Sequence, residues 1–94
     1  MNDLLTILIP ARNEKENVYI VTEEIQKKIK NLNYEILFIN DFSEDSTKEE
    51  LENICKKNSN VIYYDNNRKG LGGAMDLGFQ KSKGKYICIF MCDS

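Results

Sequence analysis

The chain has 94 residues, of which 41% are hydrophobic and 30% charged, the composition of one small globular domain rather than of a disordered or fibrous chain. A net charge of −2 gives no general pull towards nucleic acid, so no nucleic-acid partner is expected. Three cysteines without a CxxC pair, and no histidine, support neither a disulfide framework nor a structural zinc site, and a reducing, cytoplasmic setting is expected.

Leu4 to Ile9 is a short apolar run rich in β-branched residues and predicts a first strand. An acid precedes it and no basic flank or cleavage site accompanies it, so it is a poor signal peptide. No run in the chain approaches the roughly 20 apolar residues of a membrane span. "PARNE", Pro10 to Glu14, follows the strand. Val18, Val21, Ile25, Ile29 and Leu32 then recur at helical spacing, with Asn13 placed as an N-cap and Glu16 three residues later. Tyr34 to Ile39 predicts a second strand, followed by "NDFSED", Asn40 to Asp45. Leu51, Ile54 and Cys55 mark a second helix that begins near Asp45 or Ser46. Val61 to Tyr64 predicts a third strand, followed by "DNNRKG", Asp65 to Gly70. Leu71, Ala74, Met75 and Phe79 mark a third helix stopped by Gly84, and Tyr86 to Met91 predicts a fourth strand that delivers "MCDS", Met91 to Ser94.

The near-continuous apolar strands are expected to be covered on both faces, the pattern of a parallel sheet between helices in a three-layer α/β/α arrangement. Right-handed crossovers put the carboxyl ends of all four strands, and hence all four polar clusters, on one edge, where ligands of open α/β sheets bind. Asp41 and Asp93 can meet one ligand there only if strands two and four flank strand one, which predicts the order 3-2-1-4.

Each cluster has a plain reading beside its functional one. Arg68 and Lys69 are either solvated loop cations or anion-binding groups beside a glycine-first helix start, where free N–H groups and the helix dipole favour phosphate. The glycines of "GLGG" do not complete GxGxxG, because Met75 stands at the last position and the loop follows the third strand. Asp41 either caps a turn or faces the ligand. Glu14 either belongs to the first helical turn or to the ligand. Asp93 ends an apolar strand and places a hard oxygen ligand where a divalent cation and phosphates could meet. Cys88 and Cys92 read as buried small hydrophobes rather than reactive thiols.

Taken together, "LTILIPARNEKENV", "YEILFINDFSEDST", "NNRKGLGGAMDLGF" and "GKYICIFMCDS" resemble the nucleotide-binding half of family 2 glycosyltransferases, the group that includes dolichyl-phosphate mannosyltransferases and other polyprenyl-phosphate sugar transferases. The resemblance covers nearly the whole chain and implies a Rossmann-like half of a GT-A fold. It implies that Pro10, Ala11, Arg12 and Glu14 surround the nucleoside, that Asp41 contacts the base, and that Arg68, Lys69, Gly70 and Gly72 lie near the base and diphosphate. Asn40 replaces the first acid of the family's acidic pair after strand two. The family's DxD metal motif falls on Met91, Cys92 and Asp93, so Asp93 alone is left as the implied ligand of Mg2+ or Mn2+, and metal dependence is weakened without being removed. The implied donor is a UDP- or GDP-sugar, and the implied acceptor a polyprenyl phosphate or a saccharide. In the family the acceptor site and catalytic base follow the DxD segment, so this chain is expected to be a donor-binding portion with no catalytic base of its own. Self-association through an exposed fourth strand is expected as a side effect. Two rival readings stand beside it: a stand-alone nucleotide-binding or regulatory module, and a flavodoxin-like or receiver-type domain, the latter disfavoured by the basic, glycine-rich third loop.

Overall fold

A computed structural model describes residues 3–92. Its elements are β1 (Leu5–Ala11), α1 (Val18–Lys28), β2 (Tyr34–Asn40), α2 (Thr47–Lys57), β3 (Val61–Asp65), α3 (Leu71–Lys81) and β4 (Tyr86–Ile89). The strands form one parallel sheet in the order β3-β2-β1-β4, with Leu5 in register with both Tyr34 and Tyr86, and Ile36 with Val61. The expected order and parallel pairing are therefore what the chain adopts.

Side chains alternate across the sheet, because successive Cβ atoms of a strand point to opposite faces. Ile7 and Ile9 of β1 and Ile36 and Phe38 of β2 pack with Val18, Val21 and Ile25 of α1 and Leu51 and Ile54 of α2. On the other face Leu8, Leu37 and Ile39 meet Ala74 and Leu77 of α3. Burial of these two clusters is the main term holding the layers together. The helices follow their apolar stripes and carry the charges that their dipoles favour, with Glu49 and Glu50 in the first turn of α2 and Lys56 and Lys57 in its last.

Three expectations are corrected. Asn13 is not the N-cap of α1, which starts at Val18 after Asn17; Asn13 lies at φ 54°, a left-handed turn that redirects the chain before the helix. The helix also stops earlier than its apolar spacing suggested: it ends at Lys28, and Leu32 is exposed in the following turn. The fourth strand is not sandwiched, since all four residues of β4 are exposed, Cys88 included, and pairing ends at Ile89 rather than Met91. The helices lie mainly over β1, β2 and β3, so the apolar side chains of the edge strand are left largely uncovered.

At the amino-terminal edge of the sheet a buried carboxylate ties β4 into place. Glu35 Oε2 accepts from the Thr6 hydroxyl at 2.5 Å and from the Lys83 amide at 2.9 Å, and Thr6 Oγ1 accepts from the Gly84 amide at 2.9 Å. The approach at Gly84 leaves no room for a side chain: a Cβ there would lie 2.5 Å from Thr6 Oγ1 and 2.6 Å from the Thr6 backbone nitrogen. Gly84→Ala is accordingly expected to destabilise the fold by about 2 kcal/mol. Urea unfolding checks it against Gly72→Ala, whose added Cβ meets nothing within 4 Å and which should be near neutral.

Candidate functional site

Three of the four loops at the carboxyl edge are stitched to one another by hydrogen bonds. The loop after β1 and the loop after β2 are joined four times: the Asp41 amide donates to the Ala11 carbonyl at 2.8 Å, the Asn13 amide to Ser43 Oγ at 3.0 Å, the Glu44 amide to Asn13 Oδ1 at 2.7 Å, and the Glu14 amide to Thr47 Oγ1 at 2.9 Å. This explains the conformation of Asn13, whose carboxamide serves as a bridge between loops instead of a helix cap. Phe42 likewise adopts a left-handed conformation, at φ 56°, a strain of roughly 1–2 kcal/mol for a non-glycine residue that the surrounding bonds hold in place.

The loop after β3 is joined to β2 through Asp41. This carboxylate is 7% exposed, and its Oδ1 accepts from Asn66 Nδ2 at 2.9 Å and from the Gly70 amide at 3.0 Å. Asn66, buried as well, donates to the carbonyl of Arg68 at 2.6 Å, while its own amide donates to the Asn40 carbonyl at 2.8 Å. Gly70 sits at φ 112°, a conformation that only glycine adopts readily, and so turns the chain sharply into α3. Asp41 thus does both of the things anticipated for it: it caps the turn and lines the cleft.

That cleft, of about 170 Å³, is lined by Pro10, Ala11, Arg12, Glu14, Asp41, Leu71, Met91 and Cys92. Five of the residues singled out from the sequence, those from the first two loops, are brought together there. The others are placed differently. Arg68 lines a separate cleft with Asn67, Gly73 and Asp76, and its guanidinium pairs with the Asp76 carboxylate at 2.5 Å. Lys69 and Gly72 are exposed and Gly70 is half-buried at the mouth of α3. Asp93 lies outside the described residues. Glu14 precedes α1 and accepts from Asn17 Nδ2 at 2.8 Å, so it belongs to the loop and not to the first turn of the helix. Asn66 was absent from the residues singled out, although an Asx residue directly after a strand and before a glycine turn is the signal that marks it.

Chemically, the cleft offers a carboxylate and an amide-rich helix start beside an apolar floor of Pro10 and Ala11, suited to a flat polar group joined to an anion. It does not by itself make a cation site: among the described residues no three His, Cys, Asp or Glu side chains cluster, and Met91 supplies a thioether that hard cations disfavour.

Asp45, at the start of α2, supports the same edge. Burial pushes its carboxyl up, but the hydroxyl and amide of Thr47 donate to it and bring it, on balance, below the usual 3.8. A carboxyl lowered by folding stabilises the fold above its unfolded value, and that contribution is lost as the pH falls through the folded value. Stability to urea should therefore decline below about pH 3.8, and Asp45→Asn should remove that part of the acid-side slope.

Comparison with known proteins agrees with this fold. CsbB of Bacillus subtilis, which carries a glycosyltransferase name, is 34% identical over 93 residues, covering 96% of this chain and 28% of that protein. The dolichol-phosphate mannosyltransferase of Pyrococcus furiosus is 29% identical over 89 residues, covering 95% of this chain and 25% of that one. The chain thus spans about a quarter of the length of these relatives. Among solved structures, a mannosyltransferase from Pyrobaculum calidifontis in complex with GDP-Man and Mn2+ superposes with a TM-score of 0.86 at 15% identity, over 99% of this chain and 28% of that one, a likeness of fold. Residues 6–94 match the sequence profile of glycosyl transferase family 2, which leaves only the first few residues unmatched. With its sheet order, its stitched carboxyl-edge loops and this match over nearly its whole length, the chain belongs to glycosyl transferase family 2.

Proposed function

We propose that this chain is the donor-binding portion of a glycosyltransferase and holds a nucleoside-diphosphate sugar in the cleft at the carboxyl edge of the sheet. The observation that carries the proposal is the convergence of Pro10, Ala11, Arg12, Glu14 and Asp41 on one cleft in a chain of this family. In this reading the nucleoside rests on Pro10 and Ala11, with Asp41 accepting from the base. The diphosphate lies towards the glycine turn, where the amides at the start of α3 and the cations Arg68 and Lys69 attract it. Arg68 must leave Asp76 to take part. Both partners of that pair are largely exposed, and such surface pairs contribute only ~0–1 kcal/mol, so an arriving diphosphate can compete for the guanidinium.

Transfer itself belongs to the longer parent, with inversion and with a polyprenyl phosphate or a saccharide as acceptor. The likeness to a dolichol-phosphate mannosyltransferase supports the first of these. A divalent cation, Mg2+ or Mn2+, is proposed on Asp93 together with oxygens of the ligand's own diphosphate. When bound, such an ion offsets negative charge on a departing nucleoside diphosphate. The uncovered β4 supports some self-association of the 94 residues. A stand-alone regulatory module is disfavoured by the family membership.

Calorimetric titration should show weak binding of nucleoside diphosphate by the chain, and incubation with nucleotide sugars and polyprenyl phosphate should show no transfer above a no-protein control. Sugar transfer would overturn the donor-portion reading, and a lack of any nucleoside-diphosphate binding would overturn the site. Mn2+ is expected to tighten the binding of nucleoside diphosphate in the parent sequence, and Asp93→Ala should abolish most of that gain. An unchanged metal response in the variant would exclude Asp93 as the ligand.

A further inference from the structure

Asp41 presents its two oxygens unequally. Oδ1 takes both the Asn66 carboxamide and the Gly70 amide, whereas no donor among the described residues reaches Oδ2. The residue is more than nine-tenths buried and lines the cleft, so Oδ2 is the carboxylate oxygen left open to a ligand there.

Asn66 is the group that fixes this asymmetry. Its Nδ2 is shared between Asp41 Oδ1 and the carbonyls of Arg68 and Gly70, and its Oδ1 accepts from the Arg68 amide at 3.3 Å. Rotating the Asp41 carboxylate to offer both oxygens would break the bonds of Asn66 and Gly70 together and open the turn that leads into α3.

Resting on the nucleotide-binding reading above, we propose that Asn66 is a positioning residue for base selection. By holding Oδ1 it leaves Asp41 a single-oxygen acceptor, and so directs the cleft to uridine nucleotides over guanosine nucleotides. The chemistry lies in the base edges. Guanine presents two adjacent donors, N1–H and the 2-amino group, which match both oxygens of a carboxylate at once. Uracil presents one imide N–H between two carbonyls, which matches one oxygen and asks for no second. Arg12 lines the same cleft and is the cation available to a flanking carbonyl. Adenine and cytosine set an acceptor ring nitrogen beside their amino group, which a carboxylate repels. This choice differs from the guanosine nucleotide bound by the Pyrobaculum calidifontis mannosyltransferase.

Calorimetry on the 94-residue chain with UDP, GDP and UDP methylated at N3 tests the proposal. UDP should bind about tenfold more tightly than GDP, and methylation of the imide nitrogen should cost about tenfold, the scale of one hydrogen bond to a charged group. In Asn66→Ala, with folding checked by circular dichroism, the UDP-to-GDP ratio should collapse towards one. A role confined to holding the fold would weaken both nucleotides alike and keep the ratio, which would overturn the proposal. If the variant does not fold, the comparison of UDP with its N3-methyl form on the unmodified chain decides alone. GDP binding as tightly as UDP, or indifference to methylation, overturns base selection while the nucleotide-binding reading stands. Binding of none of the three overturns both.

Discussion

One oxygen of one buried carboxylate joins the segments that border the cleft at the carboxyl edge. Asp41 leaves the end of β2, donates its amide to the Ala11 carbonyl at the end of β1, and through Oδ1 accepts from Asn66 and Gly70 of the loop after β3. Remove that acceptor and the half-buried Gly70 amide loses its side-chain partner, while the buried Asn66 carboxamide keeps only the carbonyls of Arg68 and Gly70. A buried donor left unmade costs ~1–3 kcal/mol, so the carboxylate stabilises the loops by being needed as much as by attraction. The same geometry that serves the fold leaves the other oxygen at the cleft. Support of the fold and access to the cleft are thus two sides of one group.

The sheet below explains why such an arrangement is available. In a parallel sheet with right-handed crossovers, every strand runs out on the same edge, and each loop must turn back into a helix. Polar backbone is therefore concentrated there, while the opposite edge only has to close connections. In this chain the opposite edge is closed by Glu35, whose carboxylate gathers Thr6 and the approach to β4. The two buried acids, at opposite ends of β2, work in the same way: each accepts several donors from segments distant in sequence. Glu35 secures the strand that leads towards Met91 and Cys92, and Asp41 secures the loops that face them.

The layers, the strand order and the edge that carries the site could be read from the apolar runs and the polar clusters between them, because both follow from the periodicity of side chains and the handedness of crossovers. Less legible were features set by a single torsion or a single partner. Asn13 has the residue type and spacing of a helix cap, yet the amide that its carboxamide meets is that of Glu44, thirty-one residues on, and no local pattern shows it. In "DNNRKG" attention falls on the cations, while the organising residue is the neutral Asn66, whose bonds depend on the carboxylate of another strand. Arg68 could be placed in the correct loop but not on Asp76, since the side-chain torsions of an exposed arginine are not written in its neighbours. The edge position of β4 was expected, but the exposure of its faces was not legible, because an apolar strand has the same spelling whether or not a layer covers it.

The pairing of Leu5 with both Tyr34 and Tyr86 has a consequence for how the chain comes off the ribosome. Of these four strands β1 is synthesised before the others and is interior, yet one of its two neighbours, β4, is the last of the four to be made. While β2, β3 and their helices emerge, the far side of β1 stays open, with its amide and carbonyl groups unpaired and Thr6 still waiting for Gly84. Translation proceeds at roughly 5–20 residues per second, so that seam stands open for several seconds in each nascent chain. During this interval a nascent neighbour on the same polysome could pair in place of β4. The order of the strands therefore makes the synthesis of β4 the step at which β1 becomes closed to its own kind on that side.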